Sequence, residues 1–202
     1  MSDEANIVYI VDDDEAVRDS LCFLLKSVGI TGNAFSSGNE FLEAYDPDWQ
    51  GCVLLDIRMP GVSGMEVQRQ LAERNCPLPI IFITGHGDIP MAVEAMHLGA
   101  FDFIQKPFHD QELLDRIQQA LATYRETQDE LALKKEVQER YEKLTPREKE
   151  VMGAVVQGHA NKVIAMDLEL SQRTVEIHRA RVMEIMLARS LAELVRLSLL
   201  LD

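Results

Sequence analysis

Three consecutive aspartates, Asp12, Asp13 and Asp14, follow directly on the apolar run IVYIV. A further aspartate, Asp56, closes the run CVLLD; Thr84 closes IIFIT, and Lys106 follows AFDFIQ. Carboxylates gathered at the end of a buried segment repel one another, and burial penalises each charge further. A hard divalent cation held by oxygen ligands offsets that repulsion. Singly, each residue has an ordinary explanation. A strand-end Asp is a turn or cap residue, Thr a strand former and Lys a solvated charge. The same residue types at four strand ends point instead to one cation site.

The elements that must position these residues are legible as alternating patterns. Apolar runs predict strands over 7–11, 51–56, 78–84 and 100–105, with a weaker one near 31–35. Helical spacing predicts helices over 16–28, 64–71 and 89–98, with another near 39–45. A fifth helix opens near residue 110. Strands alternating with helices imply an α/β, doubly wound, five-stranded parallel sheet covered on both faces. In such sheets ligands gather at the carboxyl ends of the strands, beside the switch in strand order.

Residues 108–145 contain neither Gly nor Pro. They predict one long helix, its first half packed on the sheet and its second half protruding. Leu113, Ile117, Leu121, Tyr124 and Leu131 form a loose stripe that lapses at Lys135 and Gln138. The second half suits a plain helical linker and a dimer seam equally. Four short helices without strands follow, a small all-α domain, with Thr145 and Ser171 as N-caps and Pro146 in a first turn. The expected domains are 1–124, a linker over 125–143, and 144–202.

The formal net charge is −14, and all of it resides in residues 1–144; residues 145–202 carry as many basic as acidic side chains. That balance argues against a protein that coats nucleic acid indiscriminately. No apolar run reaches the roughly 18 residues of a membrane span. The acidic N-terminus lacks the pattern of a signal peptide. Cys22, Cys52 and Cys76 have no metal-like spacing and read as reduced thiols of a cytoplasmic protein.

The motifs VDDD, LLDIRMPGVSG, ITGHGD and FIQKPF, in this order and spacing, resemble the receiver domain of two-component response regulators. LTPREKEV and NKVIAMDLELSQRTVEIHRARVM resemble a LuxR-type helix-turn-helix, and the whole is similar to the FixJ-like group. The resemblance implies a flavodoxin-like receiver whose Asp56 accepts a phosphoryl group from a partner histidine kinase. It implies Mg²⁺ organised by Asp12 and Asp13, with Asp13, Asp56 and the backbone carbonyl of Arg58 as direct ligands. Asp14 is expected to cap the next helix instead. Thr84 and Lys106 would bind the phosphoryl oxygens, and Lys106–Pro107 is expected to be cis. Thr84 and Phe103 would form the switch, with Met91, Val93, Ala95 and Met96 on a pairing face between receivers. Arg58 and His86 would flank the approach of the phosphoryl group.

In the last domain, Arg173, Thr174, Glu176, His178, Arg179 and Arg181 lie within nine residues. The apolar stripe Val175, Val182, Met183 and Met186 should face the core, leaving the polar face for a DNA major groove. By resemblance, Lys162, Thr174, His178 and Arg181 would hold the DNA backbone, and Glu176, Ile177, Arg179 and Ala180 would face the bases. The family's motif commonly ends in EKM, whereas this chain reads Glu184, Ile185 and Met186. A neutral domain on an acidic chain favours a homodimer, promoted by phosphorylation, on an inverted-repeat operator of double-stranded DNA. RNA polymerase is a further expected partner, and no membrane is.

Two rival readings remain at this point. One is a Mg²⁺-dependent hydrolase using Asp56, against which Arg58 stands where a second acid or base would be needed. The other is a constitutive DNA-binding regulator whose receiver serves only to dimerise. The complete set of Asp13, Asp56, Thr84 and Lys106 favours a regulated, non-enzymatic protein.

Overall fold

The computed structural model describes residues 7–85 and 89–201. The chain divides into two compact units, the first ending at Thr127 and the second beginning at Gln128. In the first, β1 (Ile7–Val11), β2 (Thr31–Phe35), β3 (Cys52–Asp56), β4 (Ile80–Thr84) and β5 (Asp102–Gln105) alternate with helices. These are α1 (Glu15–Ser27), α2 (Gly38–Ala44), α3 (Gly64–Glu73), α4 (Ile89–His97) and the start of α5 (Asp110–Glu142). The strands form one parallel sheet in the order β2-β1-β3-β4-β5, as the alternation predicts.

Strands β3 and β4 are buried at every position, which is why their sequences are unbroken apolar runs. Successive side chains point to opposite faces. Tyr9, Val11, Val53, Leu55 and Phe82 meet Phe41, Val67, Leu71 and Ala95 of α2, α3 and α4. Val8, Ile10, Leu54, Ile81 and Ile83 meet Leu21, Leu25, Leu113, Ile117 and Leu121 of α1 and α5. Each such side chain, fully buried, stabilises the fold by roughly 1.5–3 kcal/mol. The strand order reverses beside β1, so the ends of β1 and β3 frame the crevice of this topology.

Helix α4 divides the residues expected on a pairing face. Ala95 is core and Met91 packs against it, whereas Val93 and Met96 are exposed. The helix is tied to α3 by Gln68, which is buried. Its Nε2 donates to the carbonyl oxygens of Ala95 (3.1 Å) and Leu98 (3.2 Å). Its Oε1 meets no donor among the described residues.

The second unit contains the end of α5 with α6 (Pro146–Val156), α7 (Asn161–Asp167), α8 (Gln172–Ile185) and α9 (Leu191–Ser198). Val137 is fully buried in its core, beside Val151, Ile164, Val175 and Val182, and Tyr141 packs against the same cluster. The sequence shows only a thin, lapsing stripe here, yet the last turns of α5 have a packed face. Leu131 and Leu133 remain exposed. Between α7 and α8 the chain turns through Glu169 at φ 54°, and the Leu170 N–H reaches back to Ala165 O at 2.8 Å. This closes α7 with a left-handed residue and a six-to-one hydrogen bond. Ser171 then caps α8.

Thr145 and Glu148 form a reciprocal capping box at the start of α6. The Glu148 carboxylate accepts from the Thr145 N–H (2.8 Å) and hydroxyl (2.9 Å). The Thr145 N–H holds the carboxyl below its ordinary value of 4.5; burial opposes this, while the Thr145 hydroxyl and the charges of Arg181 and His178 reinforce it. A depressed carboxyl contributes stability above its unfolded pKa and loses it as pH falls through the folded one. Thr145→Ala should therefore lower the stability of this unit by about 1 kcal/mol at neutral pH. The deficit should shrink in acid, as pH falls from neutral through that lowered value and the carboxylate charge is lost. Urea unfolding followed by circular dichroism at neutral and at acid pH checks this; an equal deficit at both contradicts it.

Among the described residues no helix is long and apolar enough to cross a membrane. The three cysteines are free.

Candidate functional site

The ends of the central strands bring the acidic residues together as the sequence implies. Asp12 leaves β1, Asp56 closes β3, and Lys106 leaves β5. Asp12 and Asp56 are only 1% and 6% exposed, so their charges need partners. The Lys106 ammonium provides them, at 2.6 Å from Asp12 Oδ2 and 3.2 Å from Asp56 Oδ1. The second oxygen of each carboxylate is held by backbone. The Asp14 N–H donates to Asp12 Oδ1 at 3.0 Å, and the Arg58 N–H donates to Asp56 Oδ2 at 2.8 Å. Arg18 adds a tether, its Nη1 donating to the Asp12 carbonyl oxygen at 2.8 Å.

These contacts set the electrostatics. Burial pushes the Asp56 carboxyl above its ordinary value; Lys106 opposes this, and the nearby Asp12 adds to it. Burial pulls the Lys106 ammonium down, but its hydrogen bond to Asp12 and the two carboxylate charges leave it above its ordinary value. The lysine is thus held as a cation beside both Asp12 Oδ2 and Asp56 Oδ1.

The other expected residues fall around this core. Asp13 is exposed beside Asp12, and Arg58 is exposed beside Asp56. Asp14 caps α1, accepting from the Ala16 N–H at 2.9 Å. Thr84 is buried at the end of β4, and its carbonyl oxygen accepts from the Lys106 N–H at 2.8 Å. The Lys106–Pro107 bond is cis. Phe103 is half-buried against the core face shared with Ala95 and Met91. His86 lies outside the described residues.

Among the described residues, no three His, Cys, Asp or Glu side chains converge as a cation cage. The donor set nonetheless fits Mg²⁺, which keeps several waters and takes one or two carboxylates rather than a full protein cage. Asp12 and Asp56 offer two hard carboxylates at one strand-end crevice, joined through Lys106, and Asp13 and Arg58 lie next to them in the chain.

Gly64, at the start of α3, was not singled out from the sequence. Its N–H donates to Ile57 O at 2.9 Å. A Cβ built there would stand 2.2 Å from Asp56 O and 3.0 Å from Ile57 Cα. The helix can close over the backbone of Asp56 only because this residue has no side chain. The signal lay in the glycine that follows Ser63, the N-cap of α3.

In the second unit, α8 presents Arg173, Glu176, Ile177, Ala180 and Arg181 to solvent, while Val175, Val182 and Met186 are buried. Met183 is half-buried against the same core. Lys162 is exposed on α7. Thr174 and His178 are half-buried, and the Thr174 hydroxyl lies 2.7 Å from Ser171 Oγ. Arg181 pairs with Glu184 at 3.3 Å. Arg179, expected to face the bases, is half-buried. It occupies the inward stripe, one turn after Val175 and one before Val182, and its Nη1 donates to Asn161 Oδ1 at 2.8 Å.

Residues 8–118 match the model of the response regulator receiver domain, and residues 142–198 that of the bacterial regulatory proteins of the luxR family. The chain is 44% identical over 198 residues to the response regulator protein TodT of Pseudomonas putida, covering 98% of this chain and 87% of that one. It is 46% identical over 193 residues to the transcriptional regulatory protein FixJ of Rhizobium meliloti, covering 95% and 94%. Among solved structures, the response regulator StyR superposes with a TM-score of 0.85 at 43% identity, covering 95% of this chain and 97% of that one. Full-length FixJ from B. japonicum gives 0.61 at 43% identity, covering 96% of each.

Proposed function

The chain belongs to the response regulators that join a receiver domain to a LuxR-type DNA-binding domain, and from that premise we propose that Asp56 is its phosphoacceptor. The protein is a phosphorylation-activated, DNA-binding transcriptional regulator. One observation carries the assignment of Asp56. It is a buried carboxylate with one oxygen fixed by the Arg58 N–H and the other facing the Lys106 ammonium.

Such a carboxylate attacks the phosphorus of a phosphohistidine on the partner kinase. An O–P bond forms as the N–P bond breaks, and the histidine leaves. Phosphoryl transfer asks for position and charge stabilisation more than for covalent help. Lys106 supplies the charge, and the Thr84 hydroxyl donates to a phosphoryl oxygen. Asp12, Asp13, Asp56 and the Arg58 carbonyl are the residues that would hold Mg²⁺, which when bound neutralises the phosphoryl oxygens. The new group adds up to about two negative charges beside Thr84. Movement of Thr84 toward it vacates space into which Phe103 turns, and the surface of α4 and β5 changes.

The receiver comprises residues 1–124, the linker 125–143 and the DNA-binding domain 144–202. Lys162, Thr174, His178 and Arg181 take the DNA backbone, Glu176, Ile177 and Ala180 face the bases, and Arg173 belongs to the same DNA-binding surface. Phosphorylation promotes a homodimer on an inverted repeat in the cytoplasm, with RNA polymerase as a further partner. The phosphoryl group is held stoichiometrically rather than turned over as a substrate. Intact-mass analysis of the full chain after acetyl phosphate and Mg²⁺ tests this. One retained phosphoryl group, mapped to Asp56, is expected. Continuous hydrolysis with none retained, or a group at another residue, overturns it.

A further inference from the structure

Helix α8 exposes the residues proposed to face DNA, yet its most central arginine turns away from them. Arg179 lies four residues after Val175 and three before Val182, both fully buried. Helical geometry places these three on one face. Its stem lines a small gap with Val155, Val182, Met183 and Leu194, which come from α6, α8 and α9. Its guanidinium leaves that apolar site at the Asn161 side chain, with Nη1 2.8 Å from Oδ1. Asn161 is the first residue of α7, and no side chain caps that helix. An arginine spends its methylenes on apolar surface while its head keeps a polar partner, and here that partner belongs to the other helix of the motif.

We propose that Arg179 and Asn161 form a clamp that fixes the angle between α7 and α8, so that Arg179 is a positioning residue for DNA reading and not a base reader. The proposal rests on the DNA-binding reading above. Lys162 stands on α7, and Glu176, Ile177 and Ala180 stand on α8. Backbone and base contacts form together only when the two helices keep one relative pitch. The clamp sets that pitch without touching DNA. Its loss should therefore lower discrimination at every base pair rather than at one.

The test uses the full chain treated with acetyl phosphate and Mg²⁺. The probe is the duplex that the wild-type chain enriches from a randomised DNA library. Its single-base-pair variants and a scrambled duplex accompany it. Arg179→Met keeps the stem and removes the guanidinium; Asn161→Ala removes the acceptor. Each should weaken binding to the enriched duplex by about 10-fold, one good polar contact's worth. Binding to the scrambled duplex should be unchanged, which simple loss of folded protein would not produce. The double variant should be no weaker than either single one, the signature of one shared interaction. Loss of preference at one base-pair position alone identifies Arg179 as a base reader and overturns the clamp. Additive losses, or unchanged binding, also overturn it. A wild-type chain that enriches no sequence instead overturns the DNA-binding reading itself.

Discussion

Asp56→Asn leaves the chain unable to dimerise in response to acetyl phosphate. The amide matches the carboxylate in shape but is not a nucleophile, so phosphoryl uptake should fall by at least about 100-fold. The fold should survive the change. Asp56 is buried, and burial is the largest influence on its carboxyl. Removing a buried charge leaves Lys106 with its shorter contact to Asp12 at 2.6 Å. The stability change should stay within about 1 kcal/mol of zero, because losing the Coulomb partner and losing the desolvation penalty nearly cancel. Sedimentation with and without acetyl phosphate, beside a urea melt, separates signalling from folding. Dimerisation that persists at normal affinity rules out Asp56 as the switch.

Gly64→Ala should damage the same site through the backbone. The added methyl has 2.2 Å to Asp56 O and 3.0 Å to Ile57 Cα, and neither atom belongs to a flexible side chain. The α3 start or the β3 end must move. Overpacking of this kind costs about 3 kcal/mol, or roughly 10 °C in the melting temperature of a unit this size. Phosphoryl uptake should fall further than stability alone explains, since the Arg58 N–H and the Asp56 carboxylate lie on the displaced segment. Calorimetry together with initial rates of acetyl phosphate uptake, measured well below the melting temperature, checks both parts. A variant with wild-type melting and uptake would show that the helix start yields easily.

The sheet was readable because β3 and β4, buried on both faces, leave unbroken apolar runs, and their ends carry residues out of character with those runs. Asp12, Asp56 and Lys106, at the ends of β1, β3 and β5, were legible in the same way, and in the structure Lys106 contacts both carboxylates. Arg179 was harder. Its spacing from Val175 and Val182 puts it on the apolar stripe, whereas the family resemblance set it among the residues facing the bases. Asn161 was missed because an asparagine at the start of a helix looks like a cap. Val137 was hidden by the lysines and glutamates around it, which keep the local stripe thin although one side chain is wholly enclosed. Gly64 left no trace in periodicity, because its constraint is a three-dimensional approach of two backbones. Met91 and Ala95, four residues apart, share one face of α4, and Val93 and Met96, three apart, share the other; only packing shows which face is core.

The amide of Gln68 grips the end of α4 with its hydrogens while its oxygen goes begging. An enclosed acceptor without a donor carries a penalty of about 1–3 kcal/mol, and wetting it relieves that penalty. Parting the seam between α3 and α4 opens that oxygen to water, so whatever loosens α4 recovers there some of what it forfeits at the two carbonyls.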